Sequence, residues 1–280
     1  MSLSVEINLP EGKKYKPAEL IPEGLEYGTY DDNYVLKAIN GDEDSVIIFD
    51  PEKIGGGICL EVGEATVNLD MPLVAGPDEI RLYYDIIKHI CNKFNTIVFS
   101  RDGEMASLGK TESYIEADIK RSDASLFMML KKLESGDDKI VTLFCALNPI
   151  VLSLNDLKKI GADSEKLGTM LHEKQSAKAY YVGQKFFVDP GDQSLIGVYL
   201  FSADTYSIMP YAPQKPFYLE QKVNKWVVYL YVSDEMYGYI PFEVFSKHIK
   251  DLGRYDETHY FCEMNKYQAR AMIKDNAIEM

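Results

Sequence analysis

The chain has few of the residues on which most catalytic and metal sites depend. Its 280 residues include four histidines, four cysteines and one tryptophan. The cysteines lie far apart and form no CxxC pair, which argues against a disulfide scaffold and predicts reduced, buried thiols. No run of 18 apolar residues occurs, so we expect no transmembrane helix. The first residues show no secretory signal, and we therefore expect a cytoplasmic protein.

The familiar catalytic motifs are also missing. Leu171–Lys174 contains the only His-Glu pair but no second histidine, and neither GxSxG nor a phosphate-loop pattern occurs. Gly55-Gly56-Gly57 could cradle an anion through its backbone N–H groups. A strand follows these glycines where a phosphate loop needs a helix, which favours a flexible turn or bulge. We therefore expect no cofactor and no metal site, and we nominate no catalytic residue.

Negative charge is concentrated in the first third of the chain. The formal net charge is −14, and residues 1–100 hold 18 acidic against 8 basic residues, whereas residues 151–250 hold 11 of each. An acidic surface repels nucleic acid and anionic membranes, and it speeds the encounter with basic proteins. The charge pattern therefore predicts a basic protein as partner, with no nucleic acid and no membrane.

Apolar spacing predicts the elements of the first half. Residues 77–94 show a helical period, with Pro77 suited to the first helical position. Asn40-Gly41 between Tyr34–Ile39 and Ser45–Asp50 favours a hairpin. Two further helical stretches are expected in Thr111–Glu134, the second capped by Ser122. The apolar run Ile140–Leu147 predicts a strand that is buried on both faces.

Aromatic residues are concentrated in the second half. Residues 180–261 hold 20 of the 33 aromatic residues, and their spacing is typical of strands. Phe217–Val223 and Lys225–Val232 predict a hairpin that turns at Val223-Asn224. The fold class is therefore α+β, mainly antiparallel sheets with helices packed on them. We expect an acidic α+β region over 1–136 and an aromatic-rich α+β region over 137–280, with one continuous domain left open.

Two groups of residues are candidates for an interaction surface. Acidic side chains cluster in two predicted loops, where the alternative is an ordinary solvated turn, and four tyrosines lie near loops that contain proline or glycine. The acidic candidates are Asp31, Asp32, Asp42, Glu43 and Asp44. The tyrosine candidates are Tyr206, Tyr211, Tyr237 and Tyr239, for which cross-strand packing is the alternative.

One stretch resembles a known family. Its residues are Asn68-Leu69-Asp70-Met71-Pro72-Leu73, Gly76-Pro77-Asp78-Glu79-Ile80, Tyr83-Tyr84, Ile87 and Arg101-Asp102-Gly103-Glu104. Over about residues 45–130 the chain resembles the bacterial domain-of-unknown-function family 4299. The resemblance implies a bacterial cytosolic protein, and it supplies no activity, cofactor or site residue.

Two functions are compatible with the sequence. The first is a non-enzymatic protein-interaction module of the immunity or sequestration type, whose acidic surface covers a basic partner. The alternative is an enzyme of unknown class that uses carboxylates in a cleft between the two halves, since histidine is scarce.

Overall fold

The computed structural model describes residues 2–10, 12–39, 43–136, 138–216 and 219–279. The chain divides into two compact units, Met1–Ala177 and Lys178–Met280. The boundary predicted at residues 136–137 lies inside the first unit, and the predicted division into an acidic and an aromatic-rich region stays a prediction.

In its described residues, the first unit combines strands with four α-helices. Its strands are β1 (Ser2–Asn8), β2 (Glu26–Tyr30), β3 (Leu36–Lys37), β4 (Ser45–Phe49), β5 (Ile58–Val62), β6 (Thr66–Pro72), β7 (Val98–Arg101), β8 (Glu104–Ser107), β9 (Ile140–Leu143) and β10 (Ile150–Ser153). Its helices are α1 (Pro77–Lys93), α2 (Thr111–Ser135), α3 (Leu154–Ile160) and α4 (Ser164–Gln175).

Eight of these strands form one antiparallel sheet in the order β3-β2-β4-β5-β6-β1-β7-β8. Side chains alternate across it, as in β1, where Leu3, Val5 and Ile7 are buried and the residues between them are exposed. The buried side chains share one core with α1, so helices cover only one face of the sheet. Among the described residues, the opposite face has no such helix layer, which is common in antiparallel sheets, and Ala146 and Leu147 pack on part of it.

Helix α1 confirms the prediction over residues 77–94. Pro77 occupies its first turn, and Asp78 and Glu79 bring negative charge to the positive end of the helix dipole. Its apolar stripe, which includes Ile87, is buried in the core. Each such side chain contributes about 2 kcal/mol through the hydrophobic effect. Tyr83 also donates a hydrogen bond from its hydroxyl to the Leu69 carbonyl of β6 at 2.9 Å.

The predicted hairpin between Tyr34–Ile39 and Ser45–Asp50 is wrong. Strand β2 pairs with both β3 and β4 and lies between them, because the turn after Asp31 folds β3 back onto β2. The turn residues therefore suggested that β3 pairs with β4, whereas β2 lies between these strands and pairs with both. Asn40, Gly41 and Asp42 themselves lie outside the described residues.

Two further predictions for the first unit need correction. Thr111–Ser135 is one helix rather than two, and Ser122 is not a cap. Its buried hydroxyl instead donates to the Ala75 carbonyl at 2.7 Å and accepts the Ala75 N–H at 3.1 Å. The run Ile140–Leu147 is not buried on both faces, since β9 pairs only with β10 and Phe144 is 40% exposed.

The second unit contains two four-stranded sheets and two helices in its described residues. Its strands are β11 (Tyr180–Tyr181), β12 (Gln184–Val188), β13 (Leu195–Ser202), β14 (Ser207–Pro210), β15 (Val223–Ser233), β16 (Met236–Pro241), β17 (Lys250–Arg254) and β18 (His259–Glu263). Its helices are α5 (Phe242–His248) and α6 (Lys266–Asn276). The sheet orders are β11-β14-β18-β17 and β12-β13-β15-β16.

The predicted hairpin that turns at Val223-Asn224 is wrong. Both residues belong to the single long strand β15, which pairs in parallel with β13 and antiparallel with β16. On this sheet Trp226 lies opposite Gly197, whose missing side chain makes room for the indole. The indole also stacks on Tyr199, with ring centroids 5.3 Å apart. Phe217 and Tyr218 lie outside the described residues.

The predicted α+β class is confirmed, because antiparallel pairs dominate the sheets and helices pack on them. Parallel pairing is confined, in the described residues, to β11 with β14 and β13 with β15. No helix among the described residues is long and apolar enough to cross a membrane.

A buried ion pair joins α1, α2 and β7. Asp118 is fully buried, and its carboxylate accepts the Tyr84 hydroxyl at 2.6 Å and the Arg101 guanidinium at 2.5 Å. The more exposed Arg121 lies 3.2 Å from the same carboxylate. A buried charge is tolerated only when it is paired and hydrogen-bonded, and Asp118 meets both conditions.

Replacing Asp118 by alanine is expected to lower the free energy of unfolding by about 3 kcal/mol, because Arg101 then loses its buried counter-charge. Urea denaturation followed by far-ultraviolet circular dichroism measures the change. Glu116→Ala, at an exposed position of the same helix, is the control and should change stability by less than about 0.5 kcal/mol. Equal midpoints for the two variants would contradict this role of Asp118.

Candidate functional site

The uncovered face of the eight-stranded sheet carries a row of four polar residues, two of which are glutamates. In adjoining strands, Ser45 pairs with Glu61, Glu61 with Asn68, and Asn68 with Glu6. Glu6 and Glu61 are exposed, and both flank Asn68 on the same face. A second row on this face joins Ser4, Asp70, Cys59 and Ile47. Neither row contains a lysine or an arginine.

The predicted acidic candidates lie at one end of this face. Asp31 follows β2 and Asp44 precedes β4, and because these strands pair antiparallel, both residues lie at the same end of the pair. Asp32 and Asp44 are exposed and Glu43 is half-buried, whereas Asp42 lies outside the described residues. The structure therefore brings the described acidic candidates near the row that begins at Ser45.

Asp31 has a structural task as well as a charge. Its carboxylate accepts the N–H groups of Asn33 at 2.8 Å and Val35 at 3.1 Å, and it lies 3.4 Å from the Lys37 ammonium. These bonds close a tight turn in which Tyr34 adopts a φ of 59°. This left-handed backbone is costly for a tyrosine, so the turn must hold it in place.

A cavity of about 360 Å³ opens among the residues of the second row. We call it the sheet-face cavity; its walls include Tyr30, Ile47, Cys59, Asp70, Pro72 and Phe144. The Tyr30 hydroxyl donates to the Cys145 carbonyl at 2.9 Å, and the Phe144 ring lies 4.3 Å from the ring of Tyr34. Both aromatic walls are thus fixed by neighbours. Burial raises the pKa of the Cys59 thiol, which keeps it neutral.

Gly56 and Gly57 form another wall of this cavity. Their loop, Ile54–Gly57, is held in place by helix side chains. The buried Glu79 carboxylate of α1 accepts the N–H groups of Gly56 and Gly57, the latter at 2.5 Å. From α4, Gln175 donates to the Gly55 carbonyl at 2.8 Å, and His172 Nδ1 accepts the Ile54 N–H at 3.1 Å. The N–H groups of Gly56 and Gly57 therefore do hold an acidic group, and that group is a side chain of the same protein.

Glu79 fits this loop only because glycine is present. A Cβ atom on Gly55 would overlap the carboxylate, and Gly57 has a φ of +87° that favours glycine. The second oxygen, Oε2, is buried without a hydrogen-bond partner. Burial raises the pKa of Glu79, and the two N–H bonds oppose that rise. Glu79 and His172 also line a second, smaller cavity of about 180 Å³.

The predicted tyrosines do not form one surface. Tyr206 stacks on Phe261 at 5.2 Å and Tyr211 on Tyr260 at 4.9 Å. Because consecutive residues of a strand point to opposite faces, these two tyrosines lie on opposite sides of β18. Tyr237 and Tyr239 instead pack beside Tyr229, with centroid distances of 5.4 and 5.3 Å. All four keep part of their surface exposed, as the binding hypothesis needs.

The candidates predicted from the sequence did not include Glu6, Glu61 and Asp70. The signal was present in part, because Ser2–Asn8 and Thr66–Pro72 alternate polar and apolar residues, which marks a face turned to solvent. Alternation does not tell which strands are neighbours, and the row with Glu6 and Glu61 exists only through the order β5-β6-β1.

Comparison with known proteins gives one family. A family model described as "Domain of unknown function (DUF4299)" matches residues 2–272. The resemblance expected over residues 45–130 is thereby confirmed and extends over most of the chain. No curated protein and no solved structure matches the chain.

Glu79→Gln is expected to become steadily more stable relative to the wild type as the pH rises above 4.5, the ordinary pKa of Glu79. The folded wild type holds the Glu79 proton more tightly than the unfolded chain, so ionisation costs stability between the two pKa values. The glutamine oxygen can still accept both loop N–H bonds. Urea unfolding across this pH range measures the difference.

The matched control for this prediction is Glu116→Gln, which removes an exposed carboxylate from α2. Its stability should follow the wild type at every pH. If the Glu79→Gln and wild-type curves run parallel, the buried carboxyl group has no raised pKa in the folded protein.

Proposed function

The chain belongs to the DUF4299 family of domains of unknown function, and we propose that it is a non-enzymatic protein-interaction module that binds a basic protein. The binding surface in this proposal is the uncovered sheet face with Glu6, Glu61 and Asp70. The exposed acidic residues Asp32 and Asp44 extend it at one end.

One observation carries this proposal: three carboxylates lie on neighbouring strands of an uncovered face, and no lysine or arginine stands in the two rows that hold them. Complementary charge across an interface raises the rate of encounter and disfavours acidic competitors. A flat sheet face also gives a partner a rigid surface, since its backbone is fixed by hydrogen bonds on both sides of each inner strand.

The buried carboxylates favour this function over the carboxylate-based enzyme. In the described residues the buried acidic side chains are Glu79, Asp118 and Asp256. Glu79 holds the glycine loop, Asp118 pairs with Arg101, and Asp256 accepts the backbone N–H groups of Thr258 and His259 at 2.8 and 2.7 Å and lies 3.0 Å from Nδ1 of the His259 ring. Each is committed to an internal contact, whereas the carboxylates of the sheet face remain open to a partner.

As a cytoplasmic bacterial protein of the immunity or sequestration type, the chain would cover the basic surface of its partner and withhold it from other ligands. This form of the proposal rests on the acidic charge of the first unit. It does not require a cofactor, because charge and surface area supply the binding energy.

Reversing two charges on the face tests the proposed function. The double variant Glu6→Lys/Glu61→Lys is expected to bind the basic partner at least about tenfold more weakly at low salt, because like charges then meet across the interface. The partner is captured from the native host at low salt, purified, and its dissociation constant is measured by calorimetry with each variant.

The matched control is Glu116→Lys/Glu173→Lys, which changes the net charge equally at exposed helix positions. It should bind nearly as well as the wild type, since neither position lies on the proposed binding surface. Equal loss in both double variants would show attraction to net charge rather than to this face. Binding that is indifferent to salt would reject the electrostatic proposal altogether.

A further inference from the structure

The sheet-face cavity combines three features that suit a cationic side chain. Its volume of about 360 Å³ lies at the lower end of ligand pockets, which fits a single side chain better than a large cofactor. Ile47 and Pro72 form the apolar part of its wall, and Tyr30 and Phe144 form the aromatic part. Asp70 supplies a carboxylate at the same cavity.

Asp70 is available to an incoming cation. Among the described residues it has no salt-bridge partner, and its neighbours across the sheet are Ser4 and Cys59, neither of which carries a positive charge. The neutral Cys59 thiol leaves the negative charge of Asp70 uncompensated. A cation that enters the cavity therefore gains an ion pair without displacing an existing one.

The aromatic walls are preorganised. Tyr30 is tied to Cys145 through its hydroxyl, and Phe144 packs on Tyr34, whose left-handed backbone is set by the Asp31 turn. Phe144 nevertheless remains 40% exposed, so its ring is open to contact from outside. A rigid wall loses little conformational entropy when a ligand binds, which favours affinity.

We propose that the sheet-face cavity is a pocket for one arginine side chain of the basic partner. The guanidinium group can bind the Asp70 carboxylate through two N–H donors and stack on an aromatic face, which the compact ammonium of lysine does less well. Its aliphatic stem would lie along Ile47 and Pro72. This inference rests on the proposed function, because it names the residue that the acidic face selects.

The test compares nona-arginine with nona-lysine, which carry equal charge, by fluorescence anisotropy with the full chain at low salt. The wild type is expected to bind nona-arginine about tenfold more tightly than nona-lysine. Asp70→Asn and Phe144→Leu should each bring this ratio close to one. Glu61→Gln removes an equal charge outside the cavity and should weaken both peptides while keeping the ratio.

The outcomes separate the two proposals. If neither peptide binds the wild type, the acidic face does not recognise basic chains and both proposals fall. If both bind and Glu6→Lys/Glu61→Lys weakens both, the proposed function stands. An arginine-to-lysine ratio that Asp70→Asn and Phe144→Leu leave unchanged would then overturn the arginine pocket alone. Circular dichroism confirms that each variant is folded.

Discussion

The contact between the Glu79 carboxylate and the backbone of Gly56 and Gly57 is the constraint on which the candidate site depends. It fixes the connection between β4 and β5 from the helix side, while the other side of the same connection borders the sheet-face cavity. A hydrogen bond to a charged group contributes about 2 kcal/mol, and burial of the carboxylate works against it. The helix layer and the open face are thus coupled through one side chain.

Acidic residues serve two distinct purposes in the first unit. Glu79 and Asp118 are buried and hold elements together, and Asp31 shapes a turn, so none of the three acts as a freely available surface charge. Net charge alone therefore overstates what a partner can meet. The carboxylates that are open to a partner, Glu6 and Glu61, owe their position to strand register.

Local sequence patterns predicted which helices and strands form better than they predicted which strands pair with each other. Helix α1 could be predicted because Pro77 and the helical period of its apolar residues act within one segment. The glycine run was predicted as a flexible turn or bulge, with an anion cradle as the less favoured alternative. The carboxyl group that its N–H groups hold lies 22 residues further along the chain, beyond the reach of any local pattern. Both wrong hairpins have the same cause, since non-local strands took the pairing that a local turn suggested.

The position of Trp226 has a practical consequence. The only indole of the chain lies in the second unit, packed over Gly197 and against Tyr199. Its fluorescence emission will therefore report the thermal unfolding of that unit, whereas ellipticity reports the helices and strands of both units. Where emission and ellipticity diverge on heating, the two units lose their structure at different temperatures.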